Sequence, residues 1–242
     1  PNNMSDFEKE AERIRKIDIN SEHTKTKSYW RKYVKDHDGL AMKNPENSFE
    51  EKLLDIYYRS ILLFPLLTNG ETGGIIASPE VDEEFTRCGR YAYCWPRDAV
   101  FITKALDILN MKKESEKFYK IFCKNTQSSN GMWEQRFYTD CRLAPCWGYQ
   151  IDETASVVHG VYEHYKIVKD VKFLKDTLKM CEKAIKFLKK YVDDVLSGKN
   201  ELHISYDLWE MNEGVHLYSL ASVISAFEAY IKIDDEVIST RS

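Results

Sequence analysis

Two carboxylates flank a tryptophan in the short segment YDLWEMNEG, residues 206–214, where Asp207 and Glu210 stand on either side of Trp209. A carboxylic acid placed beside an apolar ring can have its pKa raised by burial, and such a group can donate a proton near neutral pH. The apolar run that begins at residue 215 supports another interpretation, because acidic residues are favoured where a helix starts. The segment by itself favours helix entry, so the choice depends on the rest of the chain.

Two other segments carry similar residue types. RYAYCWPRD, residues 90–98, contains Tyr91, Trp95, Arg97 and Asp98, and APCWGYQIDET, residues 144–154, contains Trp147. Aromatic faces cover the C–H face of a sugar ring, while charged groups hydrogen-bond its hydroxyls. These residue types together indicate a sugar site. The simpler alternatives are an ion pair at a helix start for the Arg-Asp pair and core packing for the tryptophans.

The predicted helices explain how these segments come together. Broadly apolar helices begin near residues 50, 98, 153 and 215, whereas those near 112 and 171 are amphipathic. This alternation is expected of two concentric layers, with inner helices buried on several sides and outer helices facing water on one. We therefore predict an all-α fold. A toroid of helical hairpins satisfies this alternation, and periodicity alone leaves an ordinary bundle open. All three polar segments precede apolar helices, so parallel inner helices would bring them to one pocket.

Two local features refine this prediction. Ser48 and Glu51 have the spacing of a capping box at the start of the first apolar helix. The run VHLYSLASVISAFEAYI, residues 215–231, is apolar around its whole circumference, which predicts neighbours on every side.

Composition limits the function classes. The net charge is −4, so no basic excess exists to neutralise nucleic acid or to bind an anionic membrane surface. No apolar run is long enough to span a bilayer. The six cysteines form no C-x-x-C pair, which favours free thiols, a reducing compartment and thus a cytoplasmic location. We predict no metal and no cofactor.

The three segments, in this order and at these separations, resemble the glycoside hydrolase family that contains glucoamylase, glucodextranase and some bacterial trehalases, family 15. The resemblance runs from about residue 28 to about residue 230 and is densest at YAYCWPRDA, WGYQIDETA and YDLWE. It implies that the chain forms a partial (α/α)6 barrel, a toroid of helical hairpins of which about half is present. It also implies an activity that releases terminal glucose from α-glucans with inversion. Inversion uses one carboxyl group to protonate the leaving oxygen and another to activate water.

The resemblance assigns roles by position. Glu210 is similar to the general acid, and Arg97 with Asp98 to the pair that holds hydroxyls of the terminal glucose. The remaining matched residues are predicted to line or support the substrate site: Tyr91, Trp95, Trp147, Asp207 and Trp209. Met211 stands where the family often has a second glutamate. Nothing matches the general base, and the resemblance gives Asp152 and Glu153 no such role.

The domain prediction is a helical linker or arm at residues 1–40, followed by the N-terminal half of the catalytic domain at residues 41–242. The expected partners are an α-glucan or oligosaccharide, and the missing C-terminal half or another chain. This chain alone is expected to be inactive or nearly so, because its base is absent. A second hypothesis is a non-catalytic carbohydrate-binding or regulatory module derived from the same barrel, and a third is a helical scaffold without a sugar site.

Overall fold

A computed structural model describes residues 4–38, 44–81, 84, 90–146, 148–198 and 204–240. The chain divides into two compact units, Pro1–Leu62 and Leu63–Ser242. All residues of the candidate site lie in the second unit.

The first unit contains helices α1 (Met4–Arg15) and α2 (Ile19–Asp36), and α3 (Ser48–Leu67) starts within it. Neither α1 nor α2 buries a side chain. Asp18 caps α2 by accepting a hydrogen bond from the backbone N–H of Asn20 at 3.1 Å. The helical character predicted for the arm at residues 1–40 is present in α1 and α2, and the boundary of the arm at residue 40 stays a prediction.

The cap of α3 differs from the predicted one. Asn47, one residue before the predicted Ser48, accepts from the backbone N–H groups of Phe49 and Glu50 at 3.1 and 3.0 Å. The Glu50 carboxylate returns to the backbone N–H of Glu46 at 2.7 Å and to the Asn47 side chain at 2.9 Å. Asparagine caps a helix as well as serine does, so the Ser48–Glu51 capping box was wrong by one register position.

The second unit begins with the last residues of α3 and continues through loops, and its described residues then form six further α-helices, a π-helical segment and one hairpin. The elements are α4 (Pro96–Ile108), α5 (Lys112–Lys117), a π-helical segment (Phe118–Cys123), α6 (Lys124–Thr126), α7 (Ile151–Val168), α8 (Val171–Ser197), β1 (Ser205–Tyr206), β2 (Glu213–Gly214) and α9 (Leu217–Ser239). Pro96 occupies the first turn of α4, where its missing N–H has no cost.

Helix α7 is the centre of this unit and packs against α4, α8 and α9. Twelve of its residues are buried, as predicted for an inner helix, whereas α8 buries one stripe. Gly160 permits the close approach of α7 to α4, because a Cβ there would lie 2.7 Å from Cγ1 of Val100. Arg97 contacts Asp152 near the starts of α4 and α7, and Asp107 contacts His164 nearer their ends, so the helices run parallel with their first turns at the same end of the unit.

Helix α9 corrects one expectation. Four apolar residues spaced seven apart are exposed along it: Leu217 by 85%, Ile224 by 60%, Ile231 by 60% and Ile238 by 53%. Helix α3 likewise buries only Ile61. Helix α3 is apolar on most of its circumference and the start of α9 is apolar all round, yet the described residues leave much of each helix exposed. The prediction of burial on several sides was therefore wrong for the described chain.

None of the helices in the described ranges is long and apolar enough to cross a bilayer. The five cysteines within those ranges are free thiols, and Cys94, Cys123 and Cys181 are buried. Cys88 lies outside the described residues.

Candidate active site

A cavity of about 770 Å³ opens at the N-terminal ends of α4 and α9. Its size is within the range of small-molecule sites. The wall is formed by aromatic and charged side chains from the loops that precede these helices and from the long loop before α7. The lining residues are Ala77, Arg90, Tyr91, Tyr93, Trp95, Arg97, Asp98, Phe101, Arg136, Pro145, Leu208, Trp209, Glu210 and Tyr218.

Glu210 lies in the turn of a β-hairpin. Strands β1 and β2 pair antiparallel, with Ser205 opposite Gly214 and Tyr206 opposite Glu213. The Glu210 backbone N–H donates to the carbonyl of Asp207 at 3.0 Å, and Glu210 has a φ of 61°. A non-glycine residue rarely adopts this left-handed conformation, so the backbone is strained at the residue whose side chain is predicted to donate the proton.

The side chain of Asp207 stabilises this turn by binding backbone groups within it. Its Oδ1 accepts from the backbone N–H groups of Met211 at 2.8 Å and Asn212 at 3.3 Å. These hydrogen bonds favour the charged carboxylate and lower the pKa of Asp207. Asp207 is not on the cavity wall, so it supports the turn that carries Glu210 instead of facing a ligand.

The hairpin is attached to the segment before α7. Gln150 donates to the carbonyl of Asp207 at 2.7 Å, and the Tyr206 backbone N–H donates to the carbonyl of Tyr149 at 2.7 Å. Gly148 is required at this junction, because a Cβ there would lie 2.6 Å from the Tyr206 ring. These contacts determine where the turn meets the cavity.

The Glu210 carboxylate contacts a different tryptophan from the one expected. Nε1 of Trp95, a buried side chain, donates to Oε1 of Glu210 at 2.9 Å. Trp209 lines the cavity but is 79% exposed, so it contributes little desolvation. Partial burial raises the pKa of Glu210, although the hydrogen bond from Trp95 and the charge of Arg97 oppose this shift.

The helix-entry interpretation of Glu210 is excluded by this geometry. Helix α9 begins at Leu217 with His216 as its N-cap residue, seven and six positions beyond Glu210. The carboxylate therefore makes no helix cap, and it faces the cavity.

Arg136 forms part of the wall next to Glu210. Its guanidinium lies over the Tyr93 ring at 4.8 Å and over the Trp95 ring at 5.3 Å, and its Nε donates to the carbonyl of Pro145 at 2.7 Å. The stacked arrangement fixes both aromatic rings and adds positive charge near Glu210.

The first turn of α4 carries the other charged groups. Nη1 of Arg97 donates to Oδ2 of Asp152 at 2.7 Å and is 3.1 Å from Oε1 of Glu153. Its Nη2 is 3.4 Å from Oδ2 of Asp98. The Arg97–Asp98 pair is thus not a simple ion pair, since the shorter contacts of Arg97 go to α7. Burial raises the pKa of Asp98, and the charge of Arg97 opposes that shift.

The structure places most of the predicted residues together. Those on the cavity wall are Tyr91, Trp95, Arg97, Asp98, Trp209 and Glu210, Asp207 lies behind the turn, and Trp147 lies outside the described residues. Their individual roles stay predictions. Sequence reasoning missed Tyr93, Arg136 and Tyr218, although Tyr93 lies in an aromatic segment and Tyr218 in an apolar run that it had singled out.

Asp207→Asn is expected to lower the melting temperature near neutral pH and to have little effect in acid. The folded-state pKa of Asp207 is lowered, so its stabilisation is present above the unfolded-state pKa and is lost as pH falls through the folded-state value. Thermal melts of both proteins between about pH 7 and pH 3 measure this. A melting-temperature difference that stays constant with pH would contradict the assignment.

The cavity can supply a proton donor, Glu210, to a ligand that binds against its aromatic side chains. Glu210 supplies a carboxyl group with a raised pKa, and Arg97 and Asp98 supply groups that hydrogen-bond hydroxyls. Across the described ranges, no group of three or more His, Cys, Asp or Glu side chains is arranged to hold a metal ion.

Comparison with known proteins identifies relatives of this arrangement. A family model described as glycosyl hydrolases family 15 matches residues 51–237. The chain is also 26% identical, over 225 residues, to an uncharacterized glycosyl hydrolase of Methanocaldococcus jannaschii. That alignment covers 92% of this chain and 34% of the relative.

Solved structures show the same fold. A bacterial glucoamylase complexed with acarbose matches with a TM-score of 0.67 and 18% identity, over 97% of this chain and 34% of that one. A glycosidase variant in complex with glucose matches with a TM-score of 0.60 and 18% identity, over 76% of this chain and 51% of that one. These matches confirm the predicted (α/α)6-type helical fold, and the chain spans about a third to a half of the length of these relatives.

Proposed function

The chain belongs to glycosyl hydrolase family 15, and on that premise we propose that it carries the general acid and the terminal-sugar subsite of a glucoamylase-like enzyme. The substrate class is α-glucans, from which terminal glucose is released with inversion. The observation that carries this proposal is the half-buried Glu210 carboxyl group, held by Trp95 at 2.9 Å on the wall of the cavity.

The proposed chemistry begins with Glu210 in its protonated form. Burial raises its pKa, so a larger fraction of the carboxyl group keeps its proton near neutral pH. Glu210 gives this proton to the glycosidic oxygen as the bond to the terminal glucose breaks. In the same displacement a water attacks from the opposite face of the sugar and gives its proton to a second carboxylate, which in inverting enzymes lies about 6.5–9.5 Å from the acid.

The terminal glucose is proposed to bind against Tyr91 and Trp95, with Arg97 and Asp98 on its hydroxyls. Arg97 suits this function because its guanidinium is held rigidly, and a fixed donor loses little entropy when it binds a hydroxyl. Asp98, whose side chain is 42% exposed, is accessible from the cavity.

The general base is proposed to come from outside the described residues. Along the part of the wall that the structure describes, the carboxylates are Asp98 and Glu210, and Asp98 interacts with Arg97. We propose that further helices complete the barrel and supply the base. The apolar ridge of α9, defined by Leu217, Ile224, Ile231 and Ile238, is where such helices would pack.

The second candidate is a carbohydrate-binding module without turnover. It is favoured by one observation: no carboxylate among the lining residues of the described chain faces Glu210 as an unengaged partner. The two candidates share the sugar site and differ in whether a proton donor is used.

Ligand-dependent melting tests the sugar site that both share. Maltose and acarbose at about a hundred times their dissociation constant are expected to stabilise the fold by about 2.7 kcal/mol, or several degrees. Cellobiose, which has a β-linkage, serves as the control ligand and is expected to produce a much smaller shift. Asp98→Asn is expected to reduce the maltose shift without changing the melting temperature of the free protein by more than a degree or two. A well-folded protein that none of these sugars stabilises would overturn the proposal.

A further inference from the structure

Two buried carboxylates next to the cavity have no part in the chemistry described above. Asp152 and Glu153 are both 0% exposed and lie in the first turn of α7, and neither is on the cavity wall. Carboxylates are rarely buried completely unless they are paired, so a reason for their presence is needed.

Both carboxylates bind the same residue of another helix. Asp152 accepts from the Arg97 guanidinium at 2.7 Å, whereas Oε2 of Glu153 accepts from the Arg97 backbone N–H, also at 2.7 Å. Arg97 is the second residue of α4, and Trp95, the N-cap residue of that helix, makes no side-chain cap. Glu153 therefore caps α4 from α7, in place of a residue from its own chain segment.

We propose that Asp152 and Glu153 are positioning residues that set the start of α4 at the cavity. The name "α4 clamp" is used below for these two side chains and their bonds to Arg97. Residues on both sides of the clamped position enter the site, because Trp95 binds Glu210 and Asp98 lines the cavity. Displacing the start of α4 would move the acid's hydrogen-bond donor and the sugar-facing charges together.

The two side chains of the α4 clamp bind mainly different groups of Arg97, and this difference can be tested. Glu153 binds the backbone N–H of Arg97 through Oε2, with its Oε1 3.1 Å from the guanidinium, and Asp152 makes the shorter contact with the guanidinium at 2.7 Å. A neutral amide oxygen can still accept the backbone N–H, so Glu153→Gln preserves the cap, whereas Glu153→Met removes it at similar volume. Burial raises the pKa of Glu153, and the charge of Arg97 opposes this shift.

The chain offers a matched control between the same two helices. His164 Nδ1 of α7 contacts the Asp107 carboxylate of α4 at 2.8 Å, and both side chains are buried. Asp107 is ten residues from Arg97 along α4, about 15 Å along the helix axis. Asp107→Asn therefore perturbs a buried polar contact of α4 with α7 far from the cavity.

Amide hydrogen exchange tests the α4 clamp without any sugar. In Glu153→Met, exchange in a peptide covering residues 95–99 is expected to accelerate roughly tenfold or more, because the Arg97 amide loses its acceptor. Glu153→Gln and Asp107→Asn are expected to keep the wild-type protection there. Unchanged protection in Glu153→Met, or equal loss in Asp107→Asn, would overturn the proposal.

Sugar affinity is the second readout and rests on the proposed function. At a temperature where all variants are folded, Glu153→Met and Asp152→Asn are expected to bind maltose or acarbose roughly tenfold more weakly, and Glu153→Gln within about threefold of wild type. Asp107→Asn is expected to lose stability but keep its affinity. If wild type binds no sugar while the exchange results hold, the proposed function fails and the clamp stands. If affinity falls equally in Asp107→Asn, the positioning proposal fails and the sugar site stands.

Discussion

Replacing Glu210 with glutamine is expected to lower cleavage of maltotriose roughly 10²–10⁴-fold, because glutamine keeps the hydrogen bond from Trp95 but has no proton to give. Because the general base is proposed to lie outside the described residues, the assay supplies a nucleophile that needs no base. Azide attacks a sugar carbon without prior deprotonation, so it replaces the water that a base would activate. The expected product from wild type is β-glucosyl azide together with maltose.

A second substrate isolates the acid step. In α-glucosyl fluoride the leaving group departs as fluoride and needs no proton, so the reaction with azide requires no general acid. Wild type is expected to convert both substrates, whereas Glu210→Gln is expected to convert the fluoride at a rate within about tenfold of wild type and to fail on maltotriose.

The rates of conversion of the two substrates distinguish the candidate functions. Equal loss on both would mean that Glu210 supports binding and does not donate the proton. Sugar binding without azide product from either substrate, in wild type, would favour the carbohydrate-binding module. The assay also responds to the raised pKa of Glu210: the maltotriose rate is expected to fall as pH rises through that value, and the fluoride rate to stay level.

Arg97→Met is expected to destabilise the fold by about 3–5 kcal/mol, because it leaves two buried carboxylates without their cation. Asp152 and Glu153 are both fully buried, and the Arg97 side chain is only 7% exposed, so water cannot take its place easily. Urea unfolding of wild type and variant near neutral pH gives the difference in the free energy of unfolding.

A compensating variant tests the cause of this loss. Asp152→Asn removes one of the two stranded charges, so the double variant Arg97→Met with Asp152→Asn is expected to recover part of the stability lost in Arg97→Met. Ordinary loss of packing would make the two substitutions additive or worse. A double variant less stable than Arg97→Met would therefore contradict the uncompensated-charge explanation.

Helical periodicity and residue type were enough to predict much of this protein. The positions of α4, α7 and α8 follow from apolar spacing and from Pro96 at a helix start, since these signals act within a few residues. The convergence of the three polar segments followed from the same pattern, because loops that precede parallel helices meet at one end. The Glu210 assignment needed the resemblance, since the local pattern alone favoured helix entry.

Other features depended on the tertiary structure because their partners are far apart in sequence. Trp95 and Glu210 are separated by 115 positions, and Arg97 and Glu153 by 56, so no local pattern links either pair. The same holds for Arg136, because its stacking on Tyr93 and Trp95 requires two loops to lie next to each other.

Burial in the folded protein distinguishes tryptophans and helix faces that look alike in the sequence pattern. Trp95 and Trp209 both lie in polar segments that precede an apolar helix, yet Trp95 is buried against Glu210 and Trp209 is 79% exposed. The apolar helix α9 was expected to be surrounded, but its ridge is exposed. Hydrophobic periodicity indicates which faces of a helix can be buried, and only the packing shows which faces are buried. The residue sequence by itself determined the helices, the family and the chemistry available. Only the packing of those helices decided which carboxylate faces the cavity and which ones hold it in place, since burial and charge pairing are properties of the assembled fold.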